Sequence, residues 1–103
     1  MGKLKGFQKK YLRGLAHNLK PVVLIGHKGL TDELIKSADQ ALDRHELIKV
    51  KFNEFKEKGQ KAEITAELCK KIRAEMSGTI GHIAILYREQ EDPDKKKIFL
   101  PKQ

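Results

Sequence analysis

The chain has 103 residues, of which 39% are hydrophobic and 35% charged, and its formal net charge is +8. This length predicts one domain over residues 1–103, with a core of about residues 4–100. The single cysteine excludes an internal disulfide and a zinc site built on several cysteines. No apolar run approaches the roughly 20 residues of a membrane span, and the amino terminus lacks a secretory signal. We therefore expect a cytoplasmic protein with no membrane partner.

The positive charge is concentrated in the first third of the chain. Residues 1–31 contain seven lysine or arginine side chains and no acid, whereas residues 32–103 carry fifteen basic and fourteen acidic side chains. A surface of one sign attracts polyanions, because each neutralised phosphate releases condensed counterions. The asymmetry therefore favours a polyanion-binding face over lysines that only keep the protein in solution.

Residues 4–18 have the spacing of an amphipathic helix. Its apolar arc, which we expect to pack on the domain's own core, consists of Leu4, Phe7, Tyr11, Leu12 and Leu15. The opposite side carries Lys5, Lys9, Lys10, Arg13 and His17. Surface helices usually mix charges of both signs, so the missing acids make this basic side a candidate binding face.

A strand, a turn and a second helix follow. Pro21 ends the first helix, and the apolar run 22–25 predicts a short strand covered on both faces. The next residues, Gly26-His27-Lys28-Gly29, predict a turn. Thr31 is the expected N-cap of a helix that continues to about His45. The inner face of this helix should contain Leu34, Ile35, Ala38, Ala41 and Leu42.

The rest of the chain alternates again between strand and helix patterns. We expect a half-exposed strand at 46–52, a charged loop at 53–60, a helix at 61–76, a strand at 80–88, a turn at 89–94 and a last strand at 96–100. The order α-β-α-β-α-β-β predicts an α/β (α+β) fold with three helices and a four-stranded mixed sheet, whose last two strands form a hairpin.

The glycine-flanked turn has the chemistry of an anion site. Gly26 and Gly29 allow close approach of a phosphate to the backbone, Lys28 adds a cation, and His27 can donate a hydrogen bond or stack on a base. K-homology domains clamp a nucleic-acid backbone with the same G-x-x-G spacing. The spacing also suits a plain β–α turn, but its place behind an acid-free basic helix favours binding. It is neither a Walker A loop nor a dinucleotide fingerprint.

Candidates for catalysis are few. His17, His27, His45 and His82 include no pair at metal-binding i,i+4 spacing, and Cys69 has no activating motif beside it. Two acids, Asp39 and Asp43, share a helical face but resemble a solvated surface. We therefore expect no catalytic residues, no metal, no cofactor and no enzymatic activity.

Three blocks of sequence resemble the chloroplast RNA splicing and ribosome maturation (CRM) domain family. They are Ala16–Gly26 continuing to Gly29-Leu30-Thr31, the block Glu46–Lys51, and Leu86-Tyr87-Arg88. The resemblance covers about residues 7–100, in the family's order, and is greatest to the free-standing bacterial members. It implies a fold related to the carboxy-terminal domain of translation initiation factor three.

The resemblance also implies a function and a site. The function is RNA binding, with large-subunit ribosomal RNA or pre-ribosomal particles as partner, in assembly of the large subunit. The G-x-x-G role passes to Gly26, His27, Lys28 and Gly29, and we add Lys9, Lys10, Arg13, His17 and Lys20 from the basic side. The expected state is a monomer. A module that docks on a ribosomal or other protein remains the alternative, and an enzyme for a phosphorylated substrate is disfavoured because no general base accompanies the loop.

Overall fold

The computed structural model describes residues 4–54 and 57–102. The elements in chain order are helix α1 (Gly6–Ala16), strand β1 (Val23–Ile25), helix α2 (Asp32–His45), strand β2 (Leu47–Phe52), helix α3 (Lys58–Ile72), strand β3 (Glu75–Ile80) and strand β4 (Ile83–Tyr87). A short 3-10 turn follows at Pro93–Lys95. The predicted order of helices and strands is confirmed.

The four strands form one mixed sheet in the order β1-β2-β4-β3. Strand β1 is parallel to β2, and β4 is antiparallel to both β2 and β3. The parallel pair requires a crossover, which α2 supplies, whereas β3 and β4 are joined by a tight turn with Gly81 at φ 58°. The predicted four-stranded mixed sheet is therefore confirmed, but its hairpin consists of β3 and β4 rather than of the predicted strands at 80–88 and 96–100.

Helices cover both faces of the sheet. Helices α2 and α3 bury the larger core, which includes Ile48, Val50 and Leu86 from the sheet. Helix α1 buries a smaller core on the other face, against Leu47, Ile85 and Tyr87. Consecutive residues of β2 and β4 contribute to opposite cores, as the pleat requires.

Helix α2 matches its predicted bounds and inner face. The Thr31 hydroxyl accepts a hydrogen bond from the Leu34 amide at 3.1 Å, so it is the N-cap. Ala38 and Leu42 are fully buried, and the other three predicted inner residues are partly buried against the same core. At the far end of the helix, Glu46 adopts φ 63° and turns the chain into β2.

The predicted bounds of the third helix, 61–76, are wrong, and so is the expected pairing in the hairpin. Helix α3 ends at Ile72, where Arg73 adopts a left-handed φ of 55°, and residues 75–80 form a strand. Met76 continues the four-residue spacing of the helix, but it is 41% exposed on β3. The hairpin therefore joins 75–80 to 83–87, since pairing with β4 satisfies the backbone that a longer helix would have satisfied internally.

The predicted last strand at 96–100 is also wrong. This segment forms no strand and packs by its side chains, with Ile98 and Leu100 against the α1 core. Its amides at Lys97 and Ile98 donate to the buried Glu46 carboxylate instead of to a neighbouring strand.

Two burial predictions need correction. Strand β1 is covered on one face only: Leu24 and the preceding Val22 are 56% and 51% exposed, because α1 does not reach this edge of the sheet. On α1, the buried residues are Leu12 and Ala16, whereas Tyr11 and Leu15 remain about two-fifths exposed, at 41% and 40%. The docked stripe is therefore narrower than the apolar arc.

Candidate nucleic-acid interface

The basic side of α1 borders its buried stripe. At 100° per residue, Lys9, Arg13, His17 and Lys10 follow one another around the helix next to Leu12 and Ala16. Lys10, Arg13 and His17 are exposed, and Lys9 is partly buried. The structure thus presents four of the predicted binding side chains on one side of one rigid element.

Arg13 is held by strand β3. Its guanidinium Nη1 donates to the Ser77 carbonyl oxygen at 3.0 Å. A Cβ on Gly78 would lie 2.6 Å from Arg13 Cδ, which is closer than two carbon atoms can approach. The absence of a side chain on Gly78 therefore lets the arginine stem cross the strand. One side of the guanidinium is anchored and the exposed remainder can contact a ligand.

The predicted Gly26–Gly29 loop is a β-turn at the carboxyl end of β1. The Gly29 amide donates to the Gly26 carbonyl oxygen at 3.0 Å, and Gly29 adopts φ 67°, which only glycine accepts without strain. His27 and Lys28 occupy the two central positions, and both are exposed. Within the described residues, their amides donate to no backbone carbonyl. The turn therefore offers an ammonium, an imidazole and two backbone N–H groups.

The start of α2 contributes less to an anion site than its sequence suggests. The Thr31 hydroxyl already takes the Leu34 amide, and two exposed acids of the chain itself, Asp32 and Glu33, occupy the first turn. Carboxylates at this position interact favourably with the helix dipole and repel a second anion. The anion-binding capacity therefore belongs to the Gly26–Gly29 turn rather than to the helix end.

A second turn lies at the same end of the sheet, beside the carboxyl ends of β1 and β2. Gly81 and His82 join β3 to β4, and the His82 carbonyl accepts from the Phe52 amide at the end of β2. The Lys61 ammonium on α3 donates to the Gly81 carbonyl at 2.9 Å and to His82 Nδ1 at 3.1 Å. The sequence predicts no binding role for Lys61 or His82, since only the hairpin register brings them to this end of the sheet.

Lys20 lies apart from the turn. It precedes β1, whereas Gly26 follows it, so about six extended residues, or ~20 Å, separate the two along the strand. Near Lys20, the buried Lys49 of β2 donates from Nζ to the Leu19 carbonyl at 2.9 Å. Lys49 lies in the strand predicted to be half-exposed, but it is buried and ties the segment after α1 to the sheet.

Other candidate groups of the sequence have structural partners. The carboxylate and carbonyl of Asp39 accept hydrogen bonds from Arg88, which also donates to the Ile72 carbonyl and so ties α2 to the end of α3. Asp39 is therefore not a simple solvated acid. Burial, with a smaller effect of Glu75, raises the pKa of the Cys69 thiol to about 11, so it is protonated at neutral pH.

The described part of the chain has neither a cluster of metal ligands nor a helix of the membrane-spanning kind. No group of three or more histidine, cysteine, aspartate or glutamate side chains is placed to hold a metal ion. No helix there is both long and apolar enough to cross a membrane.

Known proteins are similar to this chain in sequence. The model of the CRS1 / YhbY (CRM) domain matches residues 4–88. A Haemophilus influenzae protein named "RNA-binding protein" is 42% identical over 96 residues, which cover 93% of each chain. The Bacillus subtilis "Probable RNA-binding protein YqeI" is 38% identical over 98 residues, covering 95% of this chain and 99% of its own.

A solved structure agrees with the fold. The solution structure of a hypothetical protein of Staphylococcus aureus superposes with a TM-score of 0.82 at 38% identity, covering 96% of this chain and all of the other. The family match extends over most of the chain, and the likeness in structure extends over nearly all of it. The chain therefore belongs to the CRS1 / YhbY (CRM) domain family.

Proposed function

We propose that this protein binds RNA without catalysing a reaction, and that its partner is ribosomal RNA in precursors of the large ribosomal subunit, whose assembly it assists in the cytoplasm. The observation that carries the proposal is the placement of charge. Residues 4–31 contain no acid, and they supply the basic side of α1 and the turn at the end of β1. The names of the relatives in Haemophilus influenzae and Bacillus subtilis support RNA as the polyanion.

The proposed contacts are mainly to the RNA backbone. Arg13 is anchored on the Ser77 carbonyl and so presents its guanidinium at low entropic cost, while Lys28 and the amides of the turn suit a phosphate. Lys9, Lys10, His17 and Lys20 extend the basic surface along and beyond α1. Contacts of this kind position RNA without reading much sequence, so we expect recognition of RNA shape.

The ribosomal assignment rests on the resemblance to the free-standing bacterial members of the family. Crosslinking in cells, followed by sequencing of the attached RNA, tests it directly. We expect large-subunit ribosomal RNA and its precursors to be enriched. Recovery of protein partners that survive nuclease, without enriched RNA, would favour the alternative of a protein-docking module.

The turn is tested in vitro with two lysine variants of equal charge. We expect Lys28→Ala to weaken binding of a 20-nucleotide mixed-sequence RNA about three- to tenfold, the loss of roughly one phosphate contact. Lys70→Ala is the control, because Lys70 is exposed at the far end of α3. Equal affinities of the two variants in a fluorescence anisotropy titration would remove the turn from the site.

A further inference from the structure

One row of side chains crosses all four strands, and no helix in the described part of the chain covers it. The register aligns Leu24 of β1 with Lys51 of β2, Lys51 with Ile83 of β4, and Ile83 with Ile80 of β3. Directly paired residues point to the same face, so the four side chains form a continuous strip of ~14 Å, three strand spacings long. We call this strip the open row. Leu24 and Ile80 are each 56% exposed, Lys51 is exposed and Ile83 is half-buried.

The open row is bare because α1 covers only the adjacent row. In that row Gly78 pairs with Ile85, and Ile85 with Lys49. Arg13 crosses Gly78, and the Leu19 carbonyl in the segment after α1 accepts a hydrogen bond from the Lys49 ammonium. The open row lies two residues further along each strand, ~7 Å away. It is therefore flanked on one side by α1, with Arg13 at its margin.

The turns described above flank the other side. The Gly26–Gly29 turn begins two residues after Leu24, and the Gly81–His82 turn directly follows Ile80. Val22, on the same face as Leu24, lengthens the apolar surface at its β1 end and is 51% exposed. The result is an apolar surface with basic groups on both sides. Arg13 lies on the side of α1, and Lys28 and Lys61 lie at the end of the sheet where the two turns are.

We propose that the open row holds unpaired bases of the RNA while the flanking basic groups hold its phosphates, so that the preferred ligand is a single-stranded or looped segment. This inference rests on the proposed function. Exposed aliphatic surface flanked by cations matches a ligand with apolar faces and a charged backbone. In an A-form duplex the base faces are stacked inside the helix, so the open row would have no base face to contact.

The charge on the strip favours RNA over a protein segment. Lys51 lies in the middle of the open row, so the strip is an apolar surface interrupted by a cation rather than a uniform groove for an apolar helix. Strand-based RNA readers hold two or three bases across their sheets, which is the span that this row offers. Aliphatic side chains contact bases less strongly than aromatic ones, so the expected contribution is modest.

The test compares an intact strand with an abasic one. The double variant Leu24→Thr/Ile80→Thr places β-branched threonine, which suits a strand, at both exposed positions and removes apolar surface. We expect it to bind a 20-nucleotide mixed-sequence RNA about five- to tenfold more weakly than the unaltered protein, and to bind the same strand with abasic sites in its central positions equally well. Circular dichroism and thermal melting verify the fold, and the single variants serve if the double variant melts early.

The matched control is Met76→Thr on β3. Met76 is 41% exposed and pairs with Leu86, so it lies on the opposite face of the same strand. Met76→Thr should leave the affinities for the intact strand and for the abasic strand unchanged. Unaltered binding of the intact strand by the double variant, or equal weakening on the intact and abasic strands, would overturn the assignment of the open row.

Lys28→Ala separates the two proposals. This variant should weaken binding of both strands, because it removes a backbone contact. If Lys28→Ala weakens both and the open-row variant weakens neither, RNA binding stands and the open row is not a base site. If the unaltered protein binds neither strand, the proposed function fails together with the inference.

Discussion

Glu46 links the start of β2 to the end of the chain. Its side chain is 1% exposed, and its carboxylate accepts amide hydrogen bonds from Gln90 and Ile98, each 2.9 Å long, and from Lys97. Burial alone raises the pKa of the carboxyl group, but these three donors and the Lys96 ammonium outweigh it, and the net pKa lies below the ordinary 4.5. The buried carboxylate therefore anchors residues 90–98, which we call the tail, to the start of β2.

Glu46→Gln should destabilise the protein by about 1–3 kcal/mol at pH 7. An amide has one acceptor oxygen, so in either orientation its NH₂ group faces a backbone N–H. Because the folded-state pKa of Glu46 is lowered, its stabilisation is full above pH 4.5 and is lost as the pH falls through the lower folded-state value. Urea unfolding at pH 7 and at several lower pH values measures both effects, and the difference between variant and parent should shrink in acid.

Glu89→Gln provides the control for that series. Glu89 also contacts Lys96, at 3.2 Å, but its side chain is 69% exposed. Its removal should change the free energy of unfolding by less than about 1 kcal/mol. Glu46→Gln with the stability of Glu89→Gln would show that the buried carboxylate does not hold the tail.

At the scale of elements, helix α1 carries three different surfaces. Leu12 and Ala16 are buried on the sheet, the basic side faces β3 through Arg13, and an apolar flank stays exposed. Periodicity predicts that the helix is amphipathic but does not show how wide the docked stripe is. That width depends on the surface against which the helix packs, and the small contact with Leu47, Ile85 and Tyr87 fully buries only Leu12 and Ala16 of the helix.

Leu12→Ala and Leu15→Ala should separate the docked stripe from the exposed flank. Leu12 is fully buried, so its truncation should cost about 2–5 kcal/mol, whereas Leu15 is 40% exposed and its truncation should cost less than about 1 kcal/mol. Alanine preserves helix propensity in both variants. Denaturant titration gives the two free energies of unfolding, and similar losses would mean that α1 docks by its whole apolar arc.

For the whole molecule, the position of the charge matters more than its total. The net charge of +8 predicts a general affinity for polyanions, but residues 32–103 are nearly balanced. Binding through the first third should therefore respond to substitutions there and be nearly indifferent to the same number of substitutions elsewhere.

Two triple variants of equal net charge test this expectation. Lys9, Lys10 and Lys20 are replaced by glutamine in one, and the exposed Lys70, Lys71 and Lys95 in the other. The slope of log affinity against log salt on single-stranded RNA should become shallower by about 2 in the first, at roughly 0.7 per phosphate contact, and stay unchanged in the second. Equal slopes for the two variants would assign the binding to net charge alone.

Local patterns determined most of the elements of this protein. Three features depend on neighbours within a few residues, so their positions can be predicted from sequence. They are the N-cap Thr31, the strand that ends at Phe52 and the glycine-flanked turn. The acid-free first third likewise indicates a polyanion-binding face. The family resemblance rests on the same local blocks.

Only the tertiary structure decided what lies together. Residues 75–80 are a strand because β4 pairs with them, although Met76 fits the helical period, and residues 96–100 are not a strand because Glu46 takes their amides. The open row joins Leu24 to Ile80, which are far apart in the chain and adjacent only through three strand pairings. Its exposure depends on where α1 ends over the sheet. Pairing and coverage are long-range contacts, and no local sequence pattern encodes them.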